Sequence, residues 1–278
     1  MENKKIDLSK IEAVFSDIDG TLLNTQAVLD KNTIEAINNL PIPFYLASGR
    51  YYKMMLPLAK ELNLKTPLIS ANGGLVINQD GTIIKEFPID HTVLKEILDQ
   101  LYFNYMDKIG LHLYDSNKWY CNSSTNPLFS LEYRVVRCYP DYESLDMRFA
   151  SSLNISKFLL FSSKEICDEL ASDWIKKYSD KINIFHEKDN MVEIFSCDAF
   201  KGAGVKEICK DKGYDINNVL CAGDTALDLS MLEVCGYPVA MLNATDALKK
   251  KALIIADHTN NCGLAKLLNE ITKSITNR

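Results

Sequence analysis

The chain has no uninterrupted apolar run of the roughly 18–20 residues that a membrane-spanning helix requires, so no segment is expected to cross a bilayer. It has no Cys-x-x-Cys pair, although it contains eight cysteines, at positions 121, 138, 167, 197, 209, 221, 235 and 262. Scattered in this way they suggest neither a disulfide framework nor a zinc cluster. They read instead as small buried hydrophobes of a reducing compartment. The four histidines lack metal-binding spacing. Met1–Lys10 is charged and has no apolar stretch of the kind a secretory signal needs, so the cytoplasm is the expected location. Positive charge is also in short supply. Thirty-one Lys and Arg face 37 Asp and Glu, for a net charge of −6 and a pI near 5.3. No broad basic surface follows, which argues against nucleic acid or an anionic membrane as partner. An anionic substrate would have to be drawn in by local devices such as a metal ion, a few cations and helix N-termini. No internal repeat or low-complexity segment is present.

What the sequence does have is 278 residues, 47% of them hydrophobic and 24% charged. That suits one large α/β unit or two lobes with sizeable cores. Short apolar strands alternate with amphipathic helices: strands at Ala13–Ser16, Phe44–Ala47 and Leu68–Ser70, with helices over 31–40 and 51–62 between them. This rhythm predicts βαβ units and a parallel sheet covered on both faces. In such sheets ligands bind outside the carboxyl ends of the strands. Near residue 85 the rhythm changes, beginning with a hairpin turning at Asp80-Gly81. A helix over 92–106, strands at 109–114 and 157–161, a helix at 164–178 and a strand at 191–195 follow. The stretch 122–152 has weak periodicity. From Lys201 the helix–strand–helix pattern resumes. The economical division is a discontinuous first lobe, residues 1–85 and 194–278, with a second α+β lobe inserted at 86–193.

Four motifs sit at predicted strand ends. Asp17-Ile-Asp19-Gly20-Thr21 follows the first strand. There Asp17, ionised like an ordinary aspartate, could attack phosphorus, and Asp19 could protonate the leaving oxygen and then activate water. Gly20 would let the chain turn so that backbone N–H groups face phosphate oxygens. Ser48-Gly49-Arg50 follows the second strand and opens a helix, offering a hydroxyl and a helix N-terminus to an anion. Arg50 could pair with a phosphate or with a scaffold carboxylate. Ser70-Ala-Asn72-Gly73-Gly74 follows the third strand and by itself reads as a turn. Lys201 opens a helix where it could offset charge on a transferring phosphoryl group. Gly223-Asp224-Thr225-Ala226-Leu227-Asp228 again places carboxylates at a strand's end. With Asp17 and a backbone carbonyl, Asp224 would supply the hard oxygen ligands that Mg²⁺ prefers. Asp228 lies one helical turn further on the same face. Each motif has a bland alternative as a turn or a helix cap.

Taken in order, the set resembles the haloacid dehalogenase superfamily. Within it the chain is similar to the Cof-type phosphatases, whose large α/β cap is inserted where the second lobe falls here. The resemblance implies a Rossmann-like parallel-sheet core with an inserted cap, and Mg²⁺-dependent hydrolysis of a small phosphorylated metabolite through an aspartyl-phosphate. Carried over by position, it implies Asp17 as nucleophile and metal ligand, and Asp19 as acid/base binding metal through its backbone carbonyl. It implies phosphate or substrate contacts from Gly20, Ser48, Gly49, Arg50, Asn72, Gly73, Lys201 and Asn243. It further implies Asp224 as a metal ligand and Asp228 as support for the metal or the lysine.

Two positions depart from the family pattern. Leu227 replaces an amide in the fourth motif, and Leu242 replaces a glycine in the stretch after it. These keep open a catalytically weak phosphate-ligand binding or regulatory protein, and because water and a sugar hydroxyl would use the same nucleophile, a phosphosugar mutase stays open as well. In the inserted lobe, the polar and aromatic residues of 112–120, including Asp115, Lys118 and Trp119, could line a pocket or form ordinary strand edge and loop.

Overall fold

The computed structural model describes residues 6–122, 142–144 and 152–277. In chain order its elements begin with β1 (Ala13–Ser16), α1 (Lys31–Asn38), β2 (Phe44–Ala47), α2 (Tyr52–Glu61), β3 (Leu68–Ser70), β4 (Leu75–Ile77) and β5 (Ile83–Glu86). Next come α3 (His91–Asn104), β6 (Gly110–Tyr114), β7 (Trp119–Cys121), β8 (Tyr142–Ser144), β9 (Lys157–Phe161), α4 (Lys164–Tyr178), β10 (Ile182–Lys188) and β11 (Met191–Ser196). The chain closes with α5 (Lys201–Lys212), β12 (Val219–Gly223), α6 (Leu229–Val234), β13 (Tyr237–Met241), α7 (Asp246–Lys251), β14 (Ile254–Ala256) and α8 (Gly263–Thr276). Most of the weakly periodic stretch 122–152 lies outside the described residues. No helix among the described residues is long and apolar enough to cross a membrane.

Two sheets organise these elements. The larger is eight-stranded, in the order β14-β13-β12-β1-β2-β3-β4-β5. Its strands from β14 to β3 pair in parallel, and β4 and β5 turn back antiparallel as the hairpin expected at Asp80-Gly81. Every residue of β1, β2, β3 and β12 is buried. That is what a central strand covered on both faces demands, and it explains why these strands read as continuous apolar runs. The α/β fold class expected from the sequence is the one observed.

The smaller sheet is six-stranded, ordered β10-β11-β9-β6-β7-β8, and mostly antiparallel. Alternation divides its two faces. One face carries Leu111, Leu113, Tyr120, Phe158, Leu160, Val192 and Ile194. These pack with Val93, Leu94, Ile97, Leu98 and Leu101 of α3 and with Cys167, Leu170 and Trp174 of α4. The other face turns toward the first sheet: Tyr114, Trp119, Leu159 and Phe161 share a core with Tyr51, Tyr52, Met54 and Met55 at α2. The Tyr51 and Tyr114 rings lie 5.4 Å apart. The second sheet is thus a cap whose free face closes over the carboxyl ends of β1 and β2.

Candidate active site

The parallel strands aim their carboxyl ends at one crevice of about 500 Å³ between the two sheets. Asp17 follows β1 directly and is held in register by its N–H, which donates to the Ala222 carbonyl of β12 at 2.9 Å. Gly20 turns the chain with φ +86°, and a Cβ there would lie 2.3 Å from Oδ2 of Asp224. Only glycine permits both. Thr21 Oγ1 donates to Asp224 Oδ1 at 3.0 Å, locking the first and fourth motifs together.

Lys201, first residue of α5 and 3% exposed, donates to Asp17 Oδ1 at 2.5 Å and to Asp228 Oδ1 at 2.6 Å. Asp228 is wholly buried, and its second oxygen accepts from the N–H of Asp224, the N–H of Thr225 and the Thr225 hydroxyl. Its carboxylate is therefore consumed in holding Lys201 and the Asp224 turn. Carboxylate oxygens of Asp17, Asp224 and Asp228 all lie within 4.8 Å of one another. Burial pushes the Asp17 carboxyl up to about 8; Lys201 opposes this, and Asp228 and Asp224 add to it. Burial, then Asp228, likewise push Asp224 up to about 6. Lys201 loses by its own burial, but the two carboxylates beside it outweigh that and hold it protonated. One ammonium cannot balance three clustered carboxylates, so this pocket favours a further cation. Burial thus opposes the ionisation of Asp17, and a further cation would favour it.

Hard oxygen donors at Asp17 and Asp224 are the ligand type Mg²⁺ takes. Asp228, with both oxygens engaged, fits the supporting role.

The predicted residues divide in two. Asp17, Asp19, Ser48, Gly49, Arg50, Asn72 and Lys201 border the crevice, and Gly20, Gly73, Asp224, Asp228 and Asn243 stand outside its lining. Asn243 Nδ2 donates to the Gly20 carbonyl and its Oδ1 accepts from Thr259 N–H, so it braces the first-motif turn. Gly73, with φ +96°, lies so close to Phe200 that a Cβ would sit 2.1 Å from that carbonyl, and it brings the third-strand loop against the start of α5. Gly73 and Asn243 thus shape backbone behind the crevice.

Ser48 is 2% exposed, and its hydroxyl accepts from Arg50 N–H. Its carbonyl accepts from Asn72 N–H at 3.0 Å, tying the second and third strand ends. Of the two partners open to Arg50, the scaffold carboxylate holds it: Nε donates to Asp19 Oδ2 at 2.9 Å and a terminal nitrogen to Oδ1 at 2.5 Å. The Asn72 amide is buried, with both its oxygen and its nitrogen lacking a hydrogen-bond partner.

Four cap residues on the crevice escaped the sequence reading: Lys157 and Leu159 of β9, and Met191 and Glu193 of β11. The only signal they carried was strand alternation, which required knowing which face looks inward. The segment 112–120 is scaffold instead. Asp115 accepts from Asn117 N–H, Lys118 N–H and Tyr120 hydroxyl, and Trp119 donates to His112 Nδ1.

The haloacid dehalogenase-like hydrolase family model matches residues 14–268, and the chain belongs to that family. The Buchnera aphidicola (strain APS) protein BU028/BU029 is 29% identical over 270 residues, covering 92% of this chain and 94% of its own length. The Bacillus subtilis protein YwtE, named 5-amino-6-(5-phospho-D-ribitylamino)uracil phosphatase, is 26% identical over 286 residues, covering 94% and 98%. The solved structure of TM0651 from Thermotoga maritima superposes with a TM-score of 0.85 at 24% identity, covering 94% of this chain and 97% of that one. It shares the fold.

Proposed function

We propose that the protein is a Mg²⁺-dependent phosphatase that hydrolyses a small phosphorylated metabolite through an aspartyl-phosphate on Asp17. The observation that carries this reading is the buried Asp17–Lys201–Asp228 chain with Asp224 clustered beside it, its Asp17 and Lys201 bordering the crevice. Asp17 Oδ1 is engaged by Lys201, which leaves its other oxygen for attack on phosphorus. Lys201 and the hydroxyl of Ser48 would bind phosphoryl oxygens and offset their charge as it redistributes. Asp19, held at the crevice edge by Arg50 through both oxygens, would take up a proton on an oxygen freed from that pair and give it to the leaving oxygen. It would then take one from the water that opens the acyl-phosphate. Asp17, Asp224 and the Asp19 backbone carbonyl would hold the Mg²⁺, which supplies charge stabilisation at the phosphoryl group and keeps Asp17 ionised. The relatives' names support a phosphatase. Closure of the cap would exclude bulk water from the acyl-phosphate.

The test is phosphate release from aryl phosphate and from a panel of sugar, nucleotide and cofactor phosphates, with Mg²⁺ and with chelator, beside Asp17→Asn. Mg²⁺-dependent release abolished by the substitution is expected. Release that survives it would remove Asp17 as nucleophile. An isomerised sugar phosphate in place of free phosphate would turn the reading to a mutase.

A further inference from the structure

The cap face that meets the core is built for packing, except at one place. Through the registers of β6, β9 and β11, His112, Tyr114, Leu159, Phe161 and Met191 share that face with one ion pair, Lys157 and Glu193. Glu193 stands opposite Leu159 and diagonal to Lys157, and Lys157 Nζ lies 2.6 Å from Glu193 Oε1 as an ion pair. The pair is nearly removed from water, with side chains 7% and 13% exposed. A buried ion pair stabilises a fold no better than well-packed apolar side chains of similar size. Stability alone does not account for two charges among Leu159, Met191 and Tyr114.

Their bonding is also incomplete. Of the three ammonium donors, one goes to the Gly49 carbonyl at 2.7 Å, across the cap–core boundary and beside Ser48, while Glu193 Oε1 stands beside the ammonium as its ion-pair partner. Glu193 Oε2 has no donor among the described residues. Both side chains border the crevice that holds Asp17 and Asp19. A carboxylate oxygen and an ammonium hydrogen side by side match a hydroxyl-bearing carbon chain, whose O–H groups donate to the first and accept from the second. A second phosphate or carboxylate on the leaving group would instead meet Glu193 as a like charge in a poorly solvated place.

Resting on the phosphatase reading, we infer that Lys157 and Glu193 form the leaving-group subsite, selecting uncharged, hydroxylated leaving groups and rejecting a second anion. Binding is measured by calorimetry with the full chain carrying Asp17→Asn, in Mg²⁺, against sorbitol 6-phosphate, phenyl phosphate and glucose 1,6-bisphosphate. Sorbitol 6-phosphate is expected to bind about tenfold tighter than either of the others, the margin that a pair of charge-assisted hydrogen bonds supplies. Adding Glu193→Gln, which keeps the shape and removes the charge, is expected to cut the sorbitol-to-phenyl ratio by about tenfold and to improve relative binding of the bisphosphate. Lys157→Met is a second route to the same loss of ratio. A ratio within about twofold of the parent in both variants, equal binding of all three ligands, or no binding of any, overturns the assignment. The phosphatase reading fails separately, if the chain with Asp17 intact releases no phosphate from any of the three while this binding pattern persists.

Discussion

Arg50 grips Asp19 through two nitrogens, Nε at 2.9 Å from one carboxylate oxygen and a terminal nitrogen at 2.5 Å from the other. The pair joins the loop after β1 to the loop after β2 at the rim of the crevice. Arg50 therefore acts on the proposed reaction through Asp19. Arg50→Gln is expected to lower kcat by about tenfold, a small part of what a positioned acid contributes, and to leave KM within about twofold. If Arg50 instead bound phosphate, steady-state kinetics would show the loss mainly in KM.

Asp228 has no exposed surface and four hydrogen-bond donors on its carboxylate. Without it Lys201 keeps Asp17, but the N–H groups of Asp224 and Thr225 lose their acceptor, and a buried donor left unsatisfied costs about 1–3 kcal/mol. Asp228→Ala is therefore expected to lower the denaturant midpoint by an amount of that order and to abolish activity. Asp228→Asn, which keeps the acceptor toward Lys201, should lose less stability. Equal midpoints for wild type and Asp228→Ala would show that the Asp224 and Thr225 N–H groups find other partners.

The acidic cluster ties metal binding to pH. Burial raises Asp17 to about 8 and Asp224 to about 6, so both carry protons more readily than in an unfolded chain. A raised carboxyl contributes stability that is present in acid and lost as pH climbs through its folded value. Without metal, the chain should lose stability from about pH 4 toward pH 8. A divalent cation must displace those protons, at about tenfold in affinity per pH unit for each proton released. The rise in Tm on adding Mg²⁺ is expected to be small at pH 6 and largest near pH 8. An increment independent of pH would mean the cation binds away from Asp17 and Asp224.

The parallel sheet and the residues at its strand ends were legible because each strand is buried on both faces and each motif stands directly after one. Asp17, Ser48 and Lys201 could be proposed as neighbours only because a parallel sheet gathers carboxyl ends on one side. What the sequence hid depends on faces and loops. Lys157 and Glu193 are 36 positions apart and look like any polar residues in alternating strands until the β9–β11 register sets them side by side. Asn243 looks like a site residue, but it spends its amide on Gly20 and Thr259. β10 has no apolar run to announce it, and its pairing with β11 is irregular between Phe185 and Lys188.

Leu227 is the departure with the clearest kinetic consequence. It borders both the main crevice and an adjoining cavity of about 220 Å³ that also meets Phe185, Phe200 and Asn72. An amide there would gain a hydrogen bond toward the phosphoryl end, worth about 0.5–1.5 kcal/mol. Leu227→Asn is expected to raise kcat/KM for a small aryl phosphate by roughly two- to tenfold. A decrease would indicate that the apolar wall itself holds the substrate.

His112 makes the cap–core face sensitive to acid. Its ring is buried between Trp119 and Phe161, and Nδ1 accepts the Trp119 indole N–H at 2.8 Å, so that nitrogen must remain unprotonated. Burial first, and the charge of Lys157 second, push its pKa down to about 3. In the unfolded chain an imidazole titrates near 6.5. Between those values the unfolded state takes up a proton that the folded state refuses, so folding stability falls with acid by up to about 1.4 kcal/mol per pH unit. Above pH 6.5 the contribution is complete and flat. His112→Gln keeps an acceptor for Trp119 and cannot titrate. Urea midpoints measured from pH 7.5 to 4.5 are therefore expected to fall more steeply for the wild type than for this variant, with the curves parallel above pH 6.5. Parallel curves over the whole range would mean that His112 takes its proton in the folded state, breaking the bond from Trp119 at no cost.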